Sequence, residues 1–232
     1  TRAAVSHTGA LVGSDDVFDA AVQRAGAVRV LTVSQLFAAA QTLASGTRVE
    51  GSRLAIVTNG GGPGVMAADR ASDLQVPLAE LSPNTIDRLS EVLPAHWSHS
   101  DPVDILGDAD SERYAAAARI VLEDKNVDGL LVLLTPQAMT DPSGCADAIA
   151  ACRKRTSKPI LCAWMGGEAV KAGTRILDSA GIPTFDSPDR AINAFMHLVS
   201  YAKNLETLYE TPREISSLFD LQLTSHRRLA DD

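Results

Sequence analysis

The sequence predicts an α/β protein built on a doubly wound parallel sheet, and three observations carry that expectation. Short apolar runs without alternation recur between Arg53 and Phe185, which is how strands read when both faces of a sheet are covered. Helix starts with capping residues follow several of them, as at Asp141-Pro142 and Ser187-Pro188. Turns of small residues join strand to helix at Asn59 to Gly64, Gly107 to Asp110 and Gly166-Gly167. Strands alternating with helices imply right-handed crossovers, hence parallel pairing.

From the start of the chain, Ser14-Asp15-Asp16 offer N-caps for a helix through Val17, Phe18, Ala21 and Val22 that stops near Gly26. Val28 to Leu31 alternates like a short strand. Thr32 and Gln35 have capping-box spacing and open a helix with Leu36, Phe37, Ala40 and Leu43 on one face. Such a helix–strand–helix unit cannot bury its own faces and needs a neighbouring sheet. Ser45 to Ser52 is polar and reads as a linker.

Arg53 to Thr58 is then a strand, followed by the Asn59 to Gly64 turn and a helix through Met66, Ala67 and Leu74. Gln75 to Leu81 has the composition of another strand, and Ser82-Pro83 start the next helix. Pro102 to Leu106, Gly129 to Thr135, Pro159 to Trp164 and Ile182 to Phe185 supply further strands. Helices from Ser111 to Leu122, from Asp141-Pro142, from Gly167 to Gly181 and from Ser187-Pro188 to about Leu208 fill the intervals. With Gln75 to Leu81 left as an optional strand, the other five predict a flavodoxin-like, five-stranded parallel sheet over residues 49–208. Residues 1–48 read as the remnant of a second, similar domain, and residues 209–232 as a linker or tail.

Composition removes several function classes. With 21 Lys+Arg against 29 Asp+Glu, the net charge of −8 leaves no basic stripe for nucleic acid. The longest apolar run, Gly129 to Leu134, falls far short of the ~18 residues that span a bilayer. Cys145, Cys152 and Cys162 are odd in number and form no C-x-x-C, so they read as buried thiols of a cytoplasmic protein, with no metal site. Aromatics are only 4 %, so the core must be aliphatic. The chain starts Thr1-Arg2-Ala3 without an initiator methionine, which suggests a fragment or processed chain.

Ligands of such sheets collect outside the carboxyl ends of the strands. Glycine turns admit close approach of backbone N–H groups, and a helix N-terminus adds partial positive charge, so the three turns form a candidate anion site. None matches a P-loop or a dinucleotide fingerprint, and tight turn geometry without a ligand is the alternative. Asp108 and Asp110 would repel an anion there. The other unusual stretch is Ser6-His7-Thr8-Gly9-Ala10, the pattern of a loop displaying an imidazole. At pH 7 roughly three quarters of unperturbed imidazoles are neutral and competent as nucleophiles. His96-x-x-His99 with Asp101 is a loose metal-like spacing in a proline-bounded loop, and His197 sits on an apolar helix as a structural or exposed residue. Asp101 and Asp104 near a strand end resemble a phospho-acceptor position without its usual partners.

Ser6 to Asp15, Ala25-Gly26 with Val28 to Leu36, Val57 to Gly64, Asp101 to Ile105 with Gly107-Asp108-Ala109, and Leu134 to Pro142 together resemble, in order, the nucleoside-diphosphate-forming acyl-CoA synthetases. That is the succinyl-CoA synthetase superfamily, above all its ADP-forming acetyl-CoA synthetases. The resemblance implies a reversible conversion of acyl-CoA, ADP and phosphate to acid, CoA and ATP. It implies His7 as a phosphohistidine carrier. The start of the helix at Gly107, Asp108, Ala109, Asp110 and Ser111 would be one of two helix termini that cradle the phosphate. Asn59, Gly60, Gly61, Gly62 and Gly64 occupy the equivalent turn after the first strand. CoA, ATP or ADP and Mg would belong to CoA-binding and ATP-grasp domains of a parent protein, with no cofactor in this chain, which alone should turn over nothing. A second reading is the synthetase-like, acetyl-CoA-sensing region that accompanies a GNAT domain in some protein lysine acetyltransferases. A third is a fragment that exposes its first unit and forms a homo-oligomer.

Overall fold

Leu54–Thr58 (β1) is buried along its whole length, as an apolar strand must be when helices cover both faces of its sheet. The computed structural model describes residues 14–210. Around β1 are set Val103–Asp104 (β2), Gly129–Leu134 (β3), Ile160–Trp164 (β4) and Thr184–Phe185 (β5). All pair in parallel in the order β2-β1-β3-β4-β5, with Val57 opposite Val103 and Val132, and Val132 opposite Cys162. The chain leaves β1 in one direction to reach β2 and then crosses back to β3, so the switch point lies between β1 and β3.

Eight helices complete the described residues: Asp15–Arg24 (α1), Val33–Ala44 (α2), Gly61–Asp73 (α3), Pro83–Val92 (α4), Ser111–Glu123 (α5), Pro142–Arg153 (α6), Lys171–Ser179 (α7) and Pro188–Tyr209 (α8). Side chains alternate across each strand. Leu54 and Ile56 face Ala67 and Ala71 of α3 and Ile192 and Phe195 of α8, whereas Ala55 and Val57 face the layer of α4 to α7 around Tyr114, Ile149 and Leu177. The caps are local and legible: Thr32, Ser82, Asp110 and Asp141 each accept a backbone N–H of their own helix. No described helix is long and apolar enough to cross a membrane.

The three cysteines are buried and free. Burial pushes the Cys145 thiol up to about 12 and Cys162 well above its ordinary value, so neither supplies thiolate near neutral pH.

Four local expectations change. Val28–Leu31 pairs with no strand among the described residues; Arg29 instead holds Asp15 at 2.5 Å, and Asn204 of α8 donates to the Ala27 carbonyl. Gln75–Leu81 contributes only one bridge, Leu54 to Leu78, because 77–79 share the edge of β1 with β2. Between these two neighbours the Ile56 N–H would be orphaned, and Asp101 accepts it at 2.7 Å. A short 3-10 turn, Gly167–Val170, stands ahead of α7. Finally, Thr47 and Val49 of the supposed linker are buried.

Candidate functional site at the carboxyl edge of the sheet

β1 ends in a turn that its own side chains organise. The Thr58 hydroxyl donates to the Gly60 carbonyl at 2.9 Å and accepts the Gly60 N–H at 3.0 Å. Asn59 is buried and clasps the end of β3: Nδ2 donates to the Thr135 carbonyl and Oδ1 accepts the Thr135 N–H, both at 2.8 Å. Its carboxamide therefore joins the two strands of the switch point, and only its backbone faces the rim. Helix α3 opens at Gly61. A Cβ at Gly60 would lie 3.2 Å from Thr135 Oγ1, and one at Gly61 would lie 3.1 Å from Asp104 Oδ2. Gly62 meets nothing within 4 Å.

The turn after β2 comes against the first. A Cβ at Gly107 would lie 3.8 Å from the Asn59 carbonyl oxygen, and Asp104 Oδ1 accepts the Leu106 N–H at 2.9 Å. Ala109 is buried and anchors the turn to the core. Asp110 caps α5 by accepting the Arg113 N–H at 2.8 Å. The Arg113 guanidinium turns back along the same helix start, donating to Asp108 at 2.5 Å and to the Ile105 carbonyl at 3.1 Å. This hydrogen bond and the adjacent positive charge hold the Asp108 carboxyl below its usual range. Ser111 and Glu112, in the first turn of α5, have N–H groups with no intrahelical acceptor.

Two of the three sequence-predicted turns thus meet on neighbouring strands. The third is set against the end of β3, where a Cβ at Gly166 would meet Pro136 at 2.6 Å. His7 lies outside the described residues. Sequence reasoning missed Arg113, although it follows Asp110 at the N3 position, and missed Asp104 as a neighbour of Gly61.

Residues 54–201 match the family described as "Ligase-CoA domain", and residues 1–43 match "Succinyl-CoA ligase like flavodoxin domain". The chain belongs to the ligase-CoA family.

Among its relatives, this ligase-CoA chain is 43% identical over 202 residues to "Acetate--CoA ligase [ADP-forming] I" of Archaeoglobus fulgidus, covering 87% of this chain and 28% of that one. It is 34% identical to "Acetate--CoA ligase [ADP-forming] II subunit alpha" of Pyrococcus furiosus, covering 88% and 46%. The structure titled "Ca. Korarchaeum cryptofilum dinucleotide forming Acetyl-coenzyme A synthetase 1 in complex with phosphate and ADP" superposes with a TM-score of 0.82 at 31% identity, covering 89% of this chain and 45% of that one. The ligase-CoA chain thus spans less than half the length of these relatives.

The remaining histidine candidates have structural surroundings. His99 Nε2 bonds the Ala95 carbonyl at 3.2 Å and its ring lies 4.6 Å from Trp97, while Asp101 points inward to Ile56. Among the described residues no three His, Cys, Asp or Glu side chains are grouped to hold a metal ion. His197 is buried on α8 with neither ring nitrogen bonded among the described residues, and burial pushes its pKa down.

Proposed function

We propose that this chain is the phosphoryl-relay portion of an ADP-forming acyl-CoA synthetase, with acetyl-CoA as the acyl-CoA. His7 is the carrier. Its imidazole attacks the phosphorus of an acyl phosphate, an N–P bond forms, and the P–O bond to the acyl group breaks to release the carboxylate. The terminal oxygen of ADP then attacks the same phosphorus, the N–P bond breaks, and ATP leaves with the imidazole restored. Residues 1–48 belong in this reading to one ligase domain, 49–208 to a second, and 209–232 to a connection. CoA-binding and ATP-grasp partners hold CoA and the nucleotide with its Mg.

The observation that carries the reading is the approach of the two turns that lead into α3 and α5, where a Cβ at Gly107 would lie 3.8 Å from the Asn59 carbonyl oxygen. One helix terminus contributes only ~0.3–1 kcal/mol to holding an exposed anion, while a phosphorylated side chain carries nearly two negative charges. Two termini and a cation suit that load better than one. Asp104, Asp108 and Asp110 oppose it, and the Arg113–Asp108 pair offsets one of these charges. The names of the relatives support the acyl group and ADP as substrates.

The test is phosphoryl labelling of the full synthetase with γ-labelled ATP. An acid-labile, alkali-stable label is expected on the wild type and none on His7→Asn. Label that survives in His7→Asn, or full synthetase turnover by His7→Ala, would overturn the proposal. This chain by itself should form no ATP from acetyl-CoA, ADP and phosphate.

A further inference from the structure

The amino end of the sheet, opposite the candidate cradle, carries a cavity of about 680 Å³. Its walls are the entries to three neighbouring strands: Arg53 ahead of β1, Val127 and Asp128 ahead of β3, and Ser157 to Pro159 ahead of β4. The end of α5 and the exposed Arg48 and Glu50 complete it. Leu122, Val127 and Pro159, all buried, are the apolar part of the lining. The volume falls in the ~300–1,000 Å³ range of small-molecule sites.

The charges that line this cavity do not cancel. Arg53 is held by Asp128 at 2.8 Å, and Glu123 by Arg88 at 2.7 Å. Lys158 is half-buried and donates to the Leu122 and Asp124 carbonyls at 2.7 and 2.6 Å, which leaves one of its three N–H groups unused. It forms no ion pair among the described residues, and burial lowers its pKa while Asp124 and Asp128 pull the other way without touching it. The side chains of Arg48 and Lys125, both exposed, have neither an ion pair nor a hydrogen bond among the described residues. Glu50 is the one lining carboxylate among them without a cationic partner. Three cations therefore face a single free anion, in a chain whose net charge is −8. Capping the carboxyl end of α5 accounts for Lys158 but not for Arg48 or Lys125. A half-buried ammonium without a carboxylate also carries a desolvation penalty that a bound anion would offset.

We infer that this cavity binds a small organic phosphate. The phosphate lies among Arg48, Lys125 and Lys158, where the guanidinium offers a planar fork and the lysines offer point charges. The apolar part of the ligand rests on Leu122, Val127 and Pro159. The inference is independent of the phosphoryl relay, because the cradle lies at the carboxyl ends of these strands and shares no residue with the cavity.

The test titrates the full chain with phenyl phosphate and follows backbone amide shifts. Amides of residues 48–53, 123–128 and 157–159 should shift and saturate, with a Kd below ~1 mM. Arg48→Gln with Lys125→Gln should weaken binding about tenfold or more, since two charged hydrogen bonds are lost. Glu50→Gln removes the opposing carboxylate and should tighten binding about twofold or more. Shifts confined to residues 59–64 and 107–113 would place the anion in the cradle alone and overturn the inference. So would the absence of a saturable shift, or an unchanged Kd in the double variant. Hexaglutamate that shifts the same amides and binds more tightly than phenyl phosphate would make the cavity a dock for an acidic chain, and would overturn it too.

Discussion

Replacing Asp101 by Asn should flatten the pH dependence of folding. Asp101 Oδ1 accepts the Ile56 N–H at 2.7 Å, whereas Oδ2 is buried with no partner among the described residues. Burial raises its pKa from 3.8 to about 7, and the Ile56 hydrogen bond only partly opposes that. Below pH 4 both folded and unfolded chains hold the proton, and the carboxyl adds no penalty. As pH rises towards 7 the unfolded chain has released its proton while the folded chain keeps it, so folding weakens by ~1.36 kcal/mol per pH unit. The total loss is about 4 kcal/mol, complete above the folded pKa, with roughly 2.7 kcal/mol of it falling between pH 5 and pH 8. Asparagine keeps the acceptor for Ile56 and does not titrate, but it buries an NH2 group at a cost of ~1–3 kcal/mol at every pH. Urea unfolding of both proteins at pH 5 and pH 8 isolates the effect, since every other titrating group cancels. The difference in stability should move by about 3 kcal/mol in favour of Asp101→Asn on going to pH 8. Parallel pH profiles, within ~0.5 kcal/mol, would refute the argument, because they would require an Asp101 that ionises as it does in the unfolded chain.

Asn59→Ala leaves the Thr135 N–H and carbonyl without their clasp, and urea unfolding should show a loss of ~2–4 kcal/mol. Gly129→Ala drives a methyl to 2.5 Å from Cε2 of the buried Phe195 ring; the expected cost is ~1–3 kcal/mol, read as a lower Tm and recovered in part by Phe195→Leu. Gly62→Ala meets no neighbour and should leave Tm unchanged or slightly raised. Arg113→Met separates function from stability: the half-exposed Arg113–Asp108 pair is worth less than ~1 kcal/mol to folding and the bond to the Ile105 carbonyl about as much, so the urea midpoint should fall only modestly. If Arg113 faces the phosphohistidine, labelling of the full synthetase should fall about tenfold or more, the worth of a ~1.5–3 kcal/mol charged hydrogen bond.

What was legible in the sequence was what neighbours in sequence decide. Ser82 caps α4 through Thr85, and Asp110 caps α5 through Arg113, because a cap reaches only two or three residues ahead. The unbroken apolar run Gly129 to Leu134 announced a strand covered on both faces, and every residue of β3 is buried. Gln75 to Leu81 had a strand's composition but shrank to one bridge, because pairing depends on a free edge and β2 already takes half of that edge. Asp101 had a loose metal-like spacing with His96 and His99, with loop hydrogen bonding as the expected use, and only the fold shows that it accepts the Ile56 N–H in place of a strand carbonyl.

The amino-acid sequence alone determined the α/β class, the helix starts and the ordered motifs that resemble the synthetases, all of which rest on local spacing and residue chemistry. Only the tertiary structure decided that the Asn59 turn touches Gly107, that Asn59 is committed to Thr135, and that Arg113 folds back onto Asp108. The reason is physical. Asn59 and Thr135 are 76 residues apart and meet only once β1 and β3 are adjacent. Strand order is set by the packing of the whole sheet, and no local pattern encodes it.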